Sequence, residues 1–249
     1  KSSELLNTVM EAKVKGVEII DMPTFYEELE GKLPVEHLSN GWFIFAPFYG
    51  MRKNIYTNHL KRLIDIFLAI VGVIAVSPVI CITSLAIKLD SPGSLLFRQR
   101  RVGYNGEVFE LLKFRSMEVD AEKDGAVWAQ KNDPRVTRVG KIIRKARVDE
   151  IPQIWNVLKG EMSFVGPRPE RPEFVDQLQI EIPFYSLRNS VKPGISGWAQ
   201  VLYPYGASKK DALEKLQYDL YYIKNLSFFL DLHIVLKTIR VVLFGRGAR

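Results

Sequence analysis

Cysteine and histidine are nearly missing from this chain of 249 residues: Cys81 is the single thiol, and His37, His59 and His233 are scattered. One cysteine excludes a disulfide framework within the chain and any zinc site built from several thiolates. Three dispersed histidines argue against a histidine-rich metal centre. No internal repeat or low-complexity segment occurs. With 47% apolar and 25% charged residues, the chain is neither disordered nor a bundle of membrane spans. It starts at Lys1 with no Met and no signal-peptide pattern, which reads as a piece of a longer protein.

What is missing over the longest stretch is charge. From Ile66 to Ile87, 22 residues carry no formal charge. As one helix the run would be about 33 Å long, enough to cross a bilayer core. Few soluble helices are apolar on every face for so long, so residues 63–88 read as a membrane-inserted segment. Ser77-Pro78 lies at its middle, where proline removes a backbone hydrogen bond and kinks a helix. Lys61 and Arg62 flank one end and Lys88 the other, and basic flanks favour the cytoplasmic side. A kinked span and a re-entrant helix that breaks at Ser77-Pro78 and returns both stay open, with the matching flanks favouring the second. The Ser77 hydroxyl is available to backbone freed at the break.

A second membrane-seeking stretch, Leu226–Phe244, reads as an amphipathic helix, packed on the core or lying in the interface. Tyr218, Tyr221 and Tyr222 before it suit headgroup depth or a core equally. Near the start, Gly16–Ile20 is patterned as a short strand, and Thr24–Glu30 as a helix ending at Gly31. Residues 1–40 read as the tail of an upstream α/β domain, 41–60 as a linker punctuated by Gly41 and Pro47, and 61–249 as the main domain.

Lys and Arg number 35 against 28 Asp and Glu, a net of +7, which points to an anionic partner such as nucleic acid, phospholipid or a phosphorylated substrate. The excess is local: Arg98–Arg147 holds 13 Lys/Arg and 7 Asp/Glu, a net of +6, directly after the apolar run. Asn105-Gly106 is a hairpin signal, and Val108–Met117 alternates as the returning strand. Lys113 and Arg115 fall two apart on one face of it, either an exposed strand face or a clamp for diphosphate oxygens. Downstream, Asp149 stands where a helix N-cap would be, with Pro152 in the first turn and Gly160 after the last apolar residue. Capping accounts for Asp149 and Glu150. So does a carboxylate pair beside Arg144 and Arg147 that binds Mg²⁺ and attacks phosphorus. Gly166-Pro-Arg-Pro169 is a stiff loop fixing the Arg168 guanidinium, as a bound anion requires.

These blocks together resemble the bacterial sugar transferase family, the monotopic phosphoglycosyl transferases acting on polyprenyl phosphate. The matching runs are Lys113–Met117 (KFRSM), Asp149–Gln153 (DEIPQ), Asn156–Pro169 (NVLKGEMSFVGPRP), Lys192–Val201 (KPGISGWAQV) and Tyr218–Asn225 (YDLYYIKN). The resemblance covers roughly residues 58–244. It implies a mostly helical α+β monotopic domain with a re-entrant helix hinged at Ser77-Pro78, a short β-hairpin and amphipathic interfacial helices. It further implies that Asp149 attacks the sugar-bearing phosphate of a UDP-sugar and expels UMP. The aspartyl phospho-sugar is then captured by polyprenyl (undecaprenyl) phosphate. Glu150 would bind Mg²⁺; Lys113, Arg144 and Arg168 match basic positions of the site, Arg115 stays a phosphate-binding candidate from its strand position, and Asp219 matches an acidic position without a defined role. The setting implied is the bacterial inner membrane with the site on its cytoplasmic face. Family members commonly carry Ser or Thr, then Leu, before the Asp-Glu pair; here Arg147-Val148 adds charge beside the nucleophile.

A catalytically silent membrane scaffold of glycan assembly is the competing class, and intact Asp149, Glu150 and Arg168 argue against it. Specific nucleic-acid binding is a third: few aromatics interleave the basic stretch, which adjoins a membrane segment. The sugar, the glycan pathway and the oligomeric state, a homo-oligomer included, are unassigned by the sequence.

Overall fold

Helix-end chemistry sets most of the boundaries in a chain whose described residues are mostly helical, with two small sheets. The computed structural model describes residues 2–244 apart from 39, 53, 120, 122–132, 205 and 207. In order the elements are α1 (Ser2–Val14), α2 (Met22–Glu30), α3 (Asn40–Phe45), α4 (Lys61–Asp90), β1 (Leu96–Val102), β2 (Val108–Phe114), α5 (Arg138–Lys145) and α6 (Gln153–Lys159). Then follow β3 (Ser163–Val165), α7 (Pro172–Glu181), β4 (Gly194–Ser196), α8 (Trp198–Leu202), α9 (Lys209–Lys224) and α10 (Phe228–Phe244). Asp21 accepts from the Thr24 amide to start α2, and left-handed Gly31 ends it. Thr137 caps α5, and a reciprocal Ser208–Asp211 capping box starts α9. At the β1–β2 hairpin, Asn105 and Gly106 both take positive φ (54° and 82°), as a tight reversal between twisted strands requires.

The main core gathers around α9. Leu216, Leu220 and Ile223 are buried there with Val165, Tyr185, Tyr222 and Ile234. Leu33 and Val35 are wholly buried in the same cluster, and the Leu33 amide donates to the Gln217 carbonyl. Lys224 and Asn225 bind the buried Glu27, and Lys32 pairs with Glu214 at 2.8 Å. The Trp198 indole donates to the Gly31 carbonyl at 2.8 Å. The described residues between Glu27 and Phe48 thus pack against the α9 core, across the boundary expected at residue 40. Gly16–Ile20 forms no strand: Val17–Ile20 is exposed, without a neighbouring edge among the described residues.

α4 is the one helix among the described residues long and apolar enough to cross a membrane, and only 11% of its most apolar window is covered by protein. Phe67, Ile70, Ile74, Ile82 and Leu85 are exposed along it, an apolar surface of the kind that marks a membrane or protein contact. It stays helical through Pro78. Proline has no N–H for the carbonyl four residues back, that of Ile74, and the Ser77 hydroxyl donates to that carbonyl at 2.8 Å. Both ends are fastened to the same body. Near the start, Arg62 donates to the Val157 and Leu158 carbonyls at the end of α6, and Asp65 accepts from the Ser163 hydroxyl and the Phe164 amide. At the other end, Asp90 accepts from the Val139 amide, and Ile87 packs with Phe114 and Ile143.

α10 takes the first of the two alternatives, packing on the core, and leaves an apolar side uncovered. Ile234 and Asp231 are buried against the core, while Phe229, Leu236 and Ile239 stay exposed on its other side. The tyrosines of α9 belong to the protein interior: Tyr222 is buried and donates to Asp231, and Tyr221 stacks on Trp198.

Candidate active site

Three segments bring the site together: the end of β2, the turn between α5 and α6, and the loop after β3. The turn is reached through Arg147, a non-glycine residue at φ 59°, which reverses the chain after α5. Left-handed backbone is strained for such a residue. Val148–Glu150 then makes one tight helical turn, and α6 begins only at Gln153, with Pro152 at its cap. Asp149 therefore caps nothing. Its carboxylate makes no hydrogen bond or ion pair among the described residues, although the residue is buried. Gly160 does end α6 in the left-handed conformation that its position suggested.

Glu150 is held from two sides. The Arg168 guanidinium donates to its Oε1 at 2.7 Å, and the Lys113 ammonium lies 3.6 Å from the same oxygen. Burial alone would raise the Glu150 pKa, but the Arg168 and Lys113 charges outweigh it and hold the carboxyl well below the usual range. Lys113 is depressed to about 8, chiefly by burial and then by the Arg168 and Arg101 charges, with Glu150 opposing. Asp149 is raised, first by burial and then by the Glu150 charge; Lys113, Arg144 and Arg147 pull the other way without cancelling it. The neighbouring carboxylates are thus driven apart, one firmly ionised and paired, the other more basic and unpaired.

Arg168 owes its position to glycine packing and a buried ion pair. β3 and β4 pair in parallel, and an added Cβ on Gly166 would lie 2.3 Å from the Lys192 carbonyl oxygen. Only glycine lets the two loops approach so closely. Behind the loop, the buried Arg188 donates to the Arg168 carbonyl (2.8 Å), to Asp219 Oδ2 (2.8 Å) and to the Tyr185 hydroxyl from its other nitrogen (2.7 Å). Asp219, 1% exposed, is raised to about 6 by burial against the pull of Arg188. Its role is to seat the arginine that supports the Arg168 backbone.

Lys113, Asp149, Glu150 and Arg168 converge, and Arg144 stands near enough to bias Asp149. Arg115 is separated from them. It lies just past β2, and its guanidinium donates to the Pro92 and Ser91 carbonyls, fastening the turn after α4. The two cations that alternation put on one face thus serve different partners, because the strand ends between them. Ser77 and Pro78 belong to α4, apart from this cluster. Arg101, which biases Lys113 and pairs with Glu170, and Arg188 escaped the sequence reading. Both lie outside the runs that carry the resemblance.

The carboxylates suit Mg²⁺ in a limited way. No group of three or more histidine, cysteine or acidic side chains converges among the described residues. Mg²⁺ at phosphate sites takes one or two carboxylates and fills its shell with phosphate and water oxygens. Asp149 is unpaired and Glu150 is engaged through Oε1, so the pair offers such a partial shell.

Comparison with known proteins gives the same frame. A family model described as bacterial sugar transferase matches residues 56–245. The chain is 49% identical over 226 residues to UDP-N-acetylgalactosamine-undecaprenyl-phosphate N-acetylgalactosaminephosphotransferase of Aeromonas hydrophila, covering 90% of this chain and 52% of that protein. It is 43% identical over 198 residues to UDP-glucose:undecaprenyl-phosphate glucose-1-phosphate transferase of Escherichia coli (strain K12), covering 78% of this chain and 42% of that one. With the same enzyme of Caulobacter vibrioides it shares 41% over 181 residues, covering 72% of this chain and 68% of that one. The chain spans about half the length of the first of these relatives and less of the second.

Proposed function

The chain belongs to the bacterial sugar transferase family, and on that premise we propose that it moves a sugar-1-phosphate from a UDP-sugar to undecaprenyl phosphate, releasing UMP. The observation that carries the reading is the divided dyad: Glu150 pinned by Arg168 and Lys113, and Asp149 beside it buried, raised in pKa and unpaired.

The steps follow from that division. An Asp149 carboxylate oxygen attacks the sugar-bearing phosphorus, and the bond from that phosphorus to the bridging oxygen breaks. UMP leaves with the bridging oxygen and its electron pair, and an aspartyl phospho-sugar is left. A phosphate oxygen of the lipid acceptor then attacks the same phosphorus and releases the Asp149 carboxylate, giving the lipid diphospho-sugar. Arg168 and Lys113 orient the diphosphate and offset its charge, as phosphoryl transfer demands. Asp149 and Glu150 would hold Mg²⁺, which when bound neutralises diphosphate charge.

The membrane part of the reading is that α4 enters and leaves by the cytoplasmic leaflet of the inner membrane, bending at Ser77-Pro78. Supporting it, Ala69 packs in a cluster with Leu111 and Ile87 in one with Phe114. A straight helix would part Ala69 and Ile87 by about 27 Å, whereas three strand residues span only about 10 Å. Residues on both sides of the apolar stretch bind the same body, which supports entry and exit on one side.

The test is UMP release from UDP-N-acetylgalactosamine, UDP-glucose and other UDP-sugars with Mg²⁺, first without acceptor and then with undecaprenyl phosphate. A stoichiometric burst without acceptor, with phospho-sugar trapped on Asp149 and absent in Asp149→Asn, supports it. Full transfer by Asp149→Asn refutes the covalent route.

A further inference from the structure

Beside the dyad, two groups without partners have complementary chemistry. Asp149 has no hydrogen bond or ion pair among the described residues. One turn later Gln153 is 2% exposed, and its amide nitrogen Nε2 is buried with no acceptor. Ile151 and Pro152, between them, keep right-handed helical dihedrals. Residues three and four apart on such a turn are neighbours, so Gln153 follows both Glu150 and Asp149. On the face toward β2, Glu150 reaches Lys113, and Asn156 binds the Glu110 carbonyl and the Leu112 amide. Gln153 lies between those two attachments. An orphaned donor there is costly, and only an acceptor can satisfy it.

We propose that Gln153 is a positioning residue for the nucleophile: the two side chains make no hydrogen bond in this structure, and when the UDP-sugar binds, the Nε2–H donates to one Asp149 carboxylate oxygen and leaves the other oxygen to attack. The proposal rests on the transfer reading above and deepens it. When the second oxygen bonds to phosphorus and UMP departs with the electron pair of the broken P–O bond, the oxygen facing Gln153 becomes the acyl carbonyl, still an acceptor. When the lipid phosphate attacks and the Asp149 O–P bond breaks, its electron pair returns to the carboxylate. The same N–H then stabilises the charge on the leaving group. No proton moves at Gln153 in either step.

Gln153→Met and Gln153→Leu remove the donor at nearly constant volume. Steady-state UMP release from UDP-N-acetylgalactosamine and UDP-glucose, with Mg²⁺ and undecaprenyl phosphate, is measured beside thermal unfolding of the whole chain. The expected result is kcat lowered about 10- to 100-fold with KM unchanged, the scale of a lost charge-assisted hydrogen bond. The melting temperature should hold or rise, because an apolar group replaces a buried unpaired donor. An unchanged kcat overturns the proposal. So does a melting temperature that falls in step with activity, which makes the amide structural, or a raised KM at constant kcat, which makes it a substrate contact. A wild-type chain that releases no UMP from any UDP-sugar refutes the transfer reading itself, and the proposal falls with it.

Discussion

Asp219→Ala isolates the support behind Arg168. Asp219 is buried behind the Arg168 loop; it accepts from Arg188 at 2.8 Å, and Arg188 holds the Arg168 carbonyl. Both partners are nearly solvent-free, with side-chain exposures of 6% and 2%. Deleting the carboxylate leaves a buried guanidinium short of its charge partner, which costs about 3–5 kcal/mol. For a chain of this size the melting temperature should fall by roughly 6–20 °C, at about 2–4 °C per kcal/mol. Asp219→Asn keeps an acceptor oxygen for Arg188 and should lose less than half as much. UMP release should drop in the alanine variant even well below its melting temperature, because Arg168 loses its backbone support. Titration gives an independent reading. With its native pKa pushed up from 3.8 to about 6, Asp219 takes up its proton earlier in the folded chain than in the unfolded one. Its contribution to stability is therefore greatest below the unfolded value and is lost as pH rises through 6. Activity should follow the opposite course, falling below about pH 6 as the Arg188 ion pair weakens. Differential scanning fluorimetry in nanodiscs and a UMP-release assay at fixed temperature measure both. An alanine variant melting within 1 °C of the parent, on the precision of that assay, would refute the strut.

Four further outcomes are expected. Lys113, depressed to about 8 chiefly by burial, should lose its charge above that pH and raise KM for the UDP-sugar; Lys113→Arg should remove this alkaline limb. Since the native chain then binds fewer protons than the unfolded one up to about pH 10.5, stability from this group rises with pH over the same window. Ser77→Ala should cost about 1–3 kcal/mol by orphaning the Ile74 carbonyl, and Pro78→Ala in the same chain should restore the loss by returning the backbone N–H. In a Cys81→Ser background, cysteines at 60 and 90 should label from the same side with Pro78 present. Gly166→Ala should cost about 1–3 kcal/mol by forcing β3 from β4, and should reduce UMP release with it.

Features encoded by local rules were readable from the chain. The end of α2 at Gly31, the Asn105-Gly106 reversal, the Gly160 stop and the apolar α4 each depend on residues within a turn or two. Val17–Ile20 followed strand patterning yet formed no ladder, since pairing needs a second edge that the pattern does not supply. The position of Asp149 fitted an N-cap equally well until the left-handed Arg147 and the tight turn after it were visible. Lys113 and Arg115 shared a face in alternation, but β2 ends at Phe114 and Arg115 turns to the Ser91–Pro92 carbonyls. Arg188 reaches the site by tertiary packing alone: its Asp219 partner is 31 positions away, in a different helix.

The burial of Leu33, Val35 and Phe48 separates two kinds of boundary that are easily confused. The family match opens at residue 56, so trimming the gene there would appear harmless. Yet those side chains are 0%, 2% and 6% exposed, and removing them would uncover the face of α9 on which Leu216 and Leu220 sit. At about 1.5–3 kcal/mol for each large apolar side chain, the excision forfeits roughly 5–9 kcal/mol, most of the margin by which an ordinary domain stays folded. A shortened version meant for expression should therefore begin at or before Asp21, the residue that caps α2. For this chain, the span that matches the family is shorter than the span that packs into its core.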